Sequence, residues 1–318
     1  MKHFFFIKKI LINTLVFTMV ISLFESYRAN AVFHQTAFWR TKCVAGRFVH
    51  LGGSPATNFI VPQGCRTVLA KIWGSGGAGS GGTTGSTYGG NGGAGGFSQA
   101  QFTVVPGETL RILTGQGGVA DYAGGTAGAS ARILRGIVST QANILIQAGA
   151  GGGAGLSVEG TMGGDGGNGG GDVATAGETV INGTITVGGG GGGTVFAGGA
   201  AGTNSASPGS IGNPGVALAG GNGGTTGGRG GGGGYFGGGG GAGVTNTSTM
   251  AVSGGGGGAG RITGTGFGLT GSGMVPPNML DIDYQPGVGV GGQGGSPASV
   301  GRTPGQNGGP GLTVFYYF

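Results

Sequence analysis

Charge is scarce in this chain: Lys and Arg number 15, and Asp and Glu nine, among 318 residues. Disordered chains combine low hydrophobicity with high charge, and a chain 8% charged and 37% hydrophobic falls outside that class. The few basic residues are dispersed, which excludes the clustered patch or stripe of a nucleic-acid-binding surface. Histidine is scarcer still, at three. His34 and His50 both lie near the N-terminus and are expected at the surface, so a Ser/His/Asp or Cys/His site has almost no base to draw on. No segment sustains a 3.6-residue apolar period, so helices should be nearly absent after residues 1–31. Cysteine is limited to Cys43 and Cys65. In an exported protein a lone pair reads as one disulfide, closing a loop of about 22 residues and contributing on the order of 3 kcal/mol in the chain-entropy model.

Export itself is expected from residues 1–31. Lys2, Lys8 and Lys9 precede the apolar run Ile10–Phe24, and Ala29-Asn30-Ala31 supplies a small–x–small cleavage pattern ahead of Val32. The run is short for a membrane span of about 20 residues, and an uncleaved anchor is the alternative. Cleavage after Ala31 would leave 11 basic and eight acidic residues, with no transmembrane segment in the mature form.

What the chain has in excess is glycine, 91 residues of it. Between the glycine tracts lie short runs rich in β-branched residues, several with period-2 alternation: Asn58–Pro62, Thr67–Trp73, Phe97–Val105, Glu108–Leu113, Ser130–Val138, Ala142–Ala148, Glu178–Val187 and Leu312–Phe318. Pro106-Gly107, between two such runs, reads as a tight turn in a hairpin. The organisation expected is a signal peptide (1–31), an N-terminal segment (32–56) and a glycine-rich domain (57–318).

The tracts do not keep glycine at every third position as collagen does. They carry G-G-x triplets instead, as in Gly89–Phe97 and Gly163–Gly171. That period matches an extended helix of three residues per turn, with x residues along one edge and two edges bare of side chains. The x residues Asn91, Ala94, Asp165, Asn168, Asn222 and Gln293 are mostly polar, as expected of an outward edge. Fixing a glycine costs roughly 1–2 kcal/mol of backbone entropy, whereas a hydrogen bond returns about 1 kcal/mol net. A single glycine helix would melt. The fold class expected is therefore all-β: short antiparallel strands in a sandwich-like framework anchoring a bundle of polyglycine II helices.

The strand "TVLAKIW" running into "GSGGAGSGG", then "FTVVPGETLRILTGQGG", and the closing "NGGPGLTVFYYF" together resemble bacterial and phage glycine-rich-domain proteins. The resemblance covers about residues 56–318. Relatives in that group include tail-fibre adhesins that bind bacterial surface receptors through loops at the end of a polyglycine-helix bundle. The glycine-rich ectodomain region of anaplastic lymphoma kinase receptors is similar in kind. The resemblance implies polyglycine helices on a β scaffold and no single function.

Motifs of chemistry are few. Gly74, Gly76 and Gly79 fit G-x-G-x-x-G, but no helix follows to face a phosphate. Asp281 and Asp283 are the closest carboxylate pair of the later chain and are expected in a solvated loop. "GGDGGNGGGD" departs from the calcium nonapeptide, with Asn168 in place of Asp and Gly170 in place of a large apolar residue. No catalytic residue, metal or cofactor is expected. Aromatics at tract ends are the better signal, and Tyr88, Tyr235 and Phe236 are the candidate binding residues, with capping of the bundle as the alternative role. The functional expectation is a non-enzymatic surface or extracellular protein that adheres to or recognises a cell-surface glycan or protein receptor. The alternative is a matrix or coat component that self-associates through bare glycine faces.

Overall fold

A computed structural model describes residues 42–83, 87–121, 124–158, 160–205, 209–225, 227–246, 249–298 and 301–318. The expected signal peptide and His34 lie outside them. Strands β1 (Gly46–Leu51), β2 (Thr57–Ile60), β3 (Thr67–Trp73), β4 (Phe97–Thr103) and β5 (Thr109–Leu113) come first, then the short pair β6 (Ala120–Asp121) and β7 (Gly124–Gly125). A single 3-10 turn, Gln141–Asn143, lies between β8 (Ala131–Arg135) and β9 (Ile144–Ala148) and is the one helical element among the described residues. β10 (Val180–Asn182) pairs with β11 (Ile185–Val187), and β12 (Gly243–Asn246) with β13 (Thr249–Val252). β14 (Arg261–Ile262), β15 (Thr265–Leu269) and β16 (Leu312–Tyr317) follow.

Two five-stranded antiparallel sheets carry the fold, one ordered β1-β16-β3-β4-β15 and the other β14-β9-β8-β5-β2. Period-2 alternation explains their packing: Val68, Ala70 and Ile72 of β3 are wholly buried, as are Ile112, Ile133 and Ile146 at matched positions of β5, β8 and β9. Phe59 of one sheet packs edge-on against Phe315 of the other at 4.9 Å. The result is an all-β sandwich. No described helix is long and apolar enough to cross a membrane. Cys43 and Cys65 are disulfide-bonded.

Pro106-Gly107 makes the expected tight turn, with Gly107 at φ +85° and the Glu108 N–H donating to Val105 O at 3.0 Å. It does not make a hairpin, because β4 and β5 belong to different sheets and the turn carries the chain from one layer to the other. The run Glu178–Val187 is not one strand either. Asn182-Gly183, with Gly183 at φ +62°, folds it into the hairpin β10–β11. His50 is buried rather than on the surface. Its Nε2 faces Pro55 O (3.0 Å), so that nitrogen donates and Nδ1 accepts from Thr114 Oγ1 (2.8 Å).

The glycine tracts leave the sandwich at one end, after β3, β5 and β9 and before β4, β8, β14 and β16. Their backbones bond to one another in steps of three residues. Gly74, Gly77 and Ser80 donate to Gly96, Gly93 and Gly90, extending the β3–β4 ladder beyond Trp73. The tract 149–155, which continues β9, has six neighbours: it donates to 164–170, 230–233 and 75–78 and accepts from 93–96, 125–128 and 255–258. Each residue of a triplet turns to a different neighbour. Glycine is required by that closeness, since a Cβ on Gly152 would overlap the carbonyl of Gly255.

Candidate functional site

The register of the second sheet sets Arg261, Gln147, Arg132 and Leu113 side by side across β14, β9, β8 and β5. Because side chains alternate, this row lies on the face opposite the core row Ile146, Ile133 and Ile112. That face meets the glycine tracts instead of the other sheet. A cavity of about 460 Å³ opens there, lined among others by Arg132, Ser130, Ser54, Leu218, Gly231 and Gly233, with the exposed Ala56 at its rim. The volume falls within the roughly 300–1,000 Å³ of small-molecule sites.

Three polar atoms in the row are buried without a hydrogen-bond partner: Arg132 Nε, Gln147 Oε1 and Arg261 Nε. Gln147 itself is wholly buried and its Nε2 donates to Ser130 Oγ at 2.8 Å, holding that hydroxyl at the cavity wall. Among the described residues no carboxylate pairs with Arg111, Arg132 or Arg261. Burial lowers the pKa of the Arg132 guanidinium, and the neighbouring Arg111 charge lowers it further. A guanidinium nonetheless stays protonated at neutral pH, so the row is a set of unneutralised cations. Leu218, also on the cavity wall, has φ +65°. Such a conformation costs a non-glycine residue roughly 1–3 kcal/mol, and strain of this kind concentrates at ligand sites.

Two of the three candidate aromatics stand beside this cavity. Tyr235 and Phe236 are half-buried and pack edge to face at 5.5 Å. The Arg261 guanidinium lies over the Tyr235 ring at 5.0 Å. Tyr235 O accepts from Gln141 Nε2 (2.7 Å) and from the N–H of Leu218 (3.2 Å), which ties the aromatic pair to the cavity wall. Tyr88 belongs elsewhere, at the start of the tract bonded to Gly289–Gly295, and is 54% exposed. Sequence reasoning missed Arg132, Gln147, Arg261 and Leu218. The signal was present in "SARILRG" and "ANILIQA", where a polar side chain takes the alternate position to the core residues Ile133 and Ile146, and more weakly in "GRITG", where Arg261 adjoins the half-buried Ile262.

The carboxylate pair is not in a solvated loop. The Asp283 side chain is 3% exposed and accepts from Arg47 (2.9 Å), Lys71 (2.9 Å) and the Tyr316 hydroxyl (2.7 Å), while Asp281 accepts from Lys71 at 2.8 Å. Burial alone would raise the Asp283 pKa, but the hydrogen bonds from Tyr316, Lys71 and Arg47 outweigh it and hold the carboxyl below its ordinary range. The partners come from β1, β3 and β16, more than 30 and up to 236 residues away in sequence, so no local pattern announces them. The cluster clamps the loop that packs Tyr284 and Val288 over Trp73.

No protein-family model and no curated protein matches the chain.

Proposed function

We propose that this is an exported, non-enzymatic glycine-rich protein that recognises a glycan or protein receptor at or beyond the cell surface. In this reading the tracts are polyglycine II helices, and the chain is of the same kind as the bacterial and phage glycine-rich-domain proteins it resembles. The period-three bonding between tracts supports the helix assignment, since a three-residue turn presents every third residue to the same neighbour. The disulfide suits an oxidising compartment.

The observation that carries the recognition reading is the cavity with its unpaired Arg132, set beside the Tyr235–Phe236 pair. A strained wall, an open concavity and buried donors without acceptors are features of a site that awaits a ligand. The matrix reading has less support, because the tracts spend their backbone groups on one another inside the chain. A glycan and cell-surface binding screen with the secreted protein tests the proposal. Saturable binding that is abolished by Ala56→Trp, which fills the cavity mouth, is expected. Concentration-dependent assembly with no saturable ligand would overturn it in favour of the matrix component.

A further inference from the structure

Resting on the recognition reading, we infer that the cavity takes a carboxylate-bearing sugar, a uronate- or sialate-type residue of an acidic glycan, with Arg132 as the carboxylate partner and Arg261 at its margin. Arg132 is desolvated by its cavity walls and has no acid within ion-pair distance among the described residues. A neutral ligand would bury that cation further and leave it unpaired, which is costly; an anion offers it charge-assisted, bidentate hydrogen bonds. The charge sign is thus fixed by the protein.

The rest of the cavity selects what carries the charge. About 460 Å³ is far more than a lone inorganic anion occupies, and a small cluster of hydroxyls and glycine backbone lines the remainder. Ser54 and Ser130 can meet sugar hydroxyls, and the methyl and methylene surfaces of Ala127, Ala129 and Leu218 can meet the apolar face of a pyranose ring. Arg261, stacked on Tyr235, stands two strands from Arg132 in the row and carries the positive charge along the sheet toward the β14 edge. Gln147 is a positioning residue: wholly buried between Arg132 and Arg261 in the row, it holds Ser130.

The test measures binding of the secreted protein to immobilised polygalacturonate, polysialic acid, fully methyl-esterified galacturonan, dextran sulfate and dextran. Saturable binding to one or both carboxylate polymers is expected, weakened at least tenfold by methyl esterification and by raising the salt. Arg132→Gln should weaken it about tenfold or more, whereas Arg135→Gln, which removes an exposed cation already paired with Glu108, should not. Should Arg132→Gln fail to fold by its thermal melt, Ala56→Trp at the exposed rim supplies the same block. Equal binding of the esterified and free polymers, or tighter binding to dextran sulfate, overturns the carboxylate assignment while the recognition reading stands. Failure to bind any of the five polymers together with failure to bind cells overturns both.

Discussion

Gly152 and Gly230 show what a single hydrogen in place of a methyl does in this fold. A Cβ on Gly152 would overlap Gly255 O with backbone on both sides, and backbone held in a six-neighbour array cannot move aside. Gly152→Ala is expected to cost ~3 kcal/mol or more, at or above the usual range for overpacking. Gly230 lies in a neighbouring tract, yet its added Cβ would meet only Gly221 O at 3.7 Å, an ordinary contact. Gly230→Ala should be neutral or stabilising by up to about 1 kcal/mol through the unfolded chain. Chemical denaturation of the two variants side by side checks this, and equal destabilisation would contradict it. The G-G-x triplets announce bare edges by their period alone, so the need for glycine is legible in the sequence. The role of the x residues is not. Asn91, Asp165 and Asn168 do lie at partly exposed edges, but the Asp165 carboxylate also accepts the Asn91 N–H (2.6 Å) and the Asn168 amide oxygen the Ala94 N–H (2.9 Å). They bridge tracts, a role set by a partner 74 residues away.

The strands are the most legible elements, since β-branched alternation is a local property: Thr67–Trp73 has the bounds read from the sequence. Their assignment to sheets is not, because Pro106-Gly107 looks alike whether it closes a hairpin or turns a corner between layers. The loop over Trp73 departs from its expected solvation for a related reason, as its anchor Asp283 is satisfied by β1, β3 and β16. Asp283→Asn is expected to lower stability by roughly 2–3 kcal/mol. A wholly buried pair would lose ~3–5 kcal/mol, but Arg47 is 44% exposed. The pH dependence has two limbs. The Asp283 carboxyl titrates lower in the folded state, so its contribution is complete above the unfolded value of about 4 and is lost as pH falls through the folded value. Burial lowers the pKa of Lys71, but hydrogen bonds to Asp281 and Asp283 raise it above its ordinary value. Its contribution is complete below about 10.4 and lost as pH rises through the folded value. Melting temperature should therefore be level between these limits and fall on both sides, and Asp283→Asn should flatten the acid limb. An acid limb unchanged in the variant would show that other carboxylates govern it.

Sandwich and tracts cannot be separate folding units, because the central tracts 74–80, 90–96 and 149–155 are continuations of β3, β4 and β9. The β3–β4 ladder passes without interruption from Trp73–Phe97 into the bonds Gly74–Gly96 and Gly77–Gly93. Ordering each glycine costs roughly 1–2 kcal/mol, while its hydrogen bond returns about 1 kcal/mol, so tracts released from the strands would melt. The strands in turn lose the cover on the Arg132 face of their sheet when the tracts leave. Native-state hydrogen exchange tests the coupling. In a two-layer protein with loosely attached loops, glycine amides exchange through small local openings at free energies near zero. Here the amides of Gly149–Gly155, at the centre of six neighbours, are expected to exchange as slowly as those of β3 and β16, through global unfolding alone. Adding denaturant should accelerate tract and strand amides along one common line. If the central tract exchanged rapidly while β3 stayed protected, the period-three bonding would not be a cooperative part of the fold, and the cavity walled by Gly231 and Gly233 would lose the rigidity that the proposed recognition by Arg132 requires.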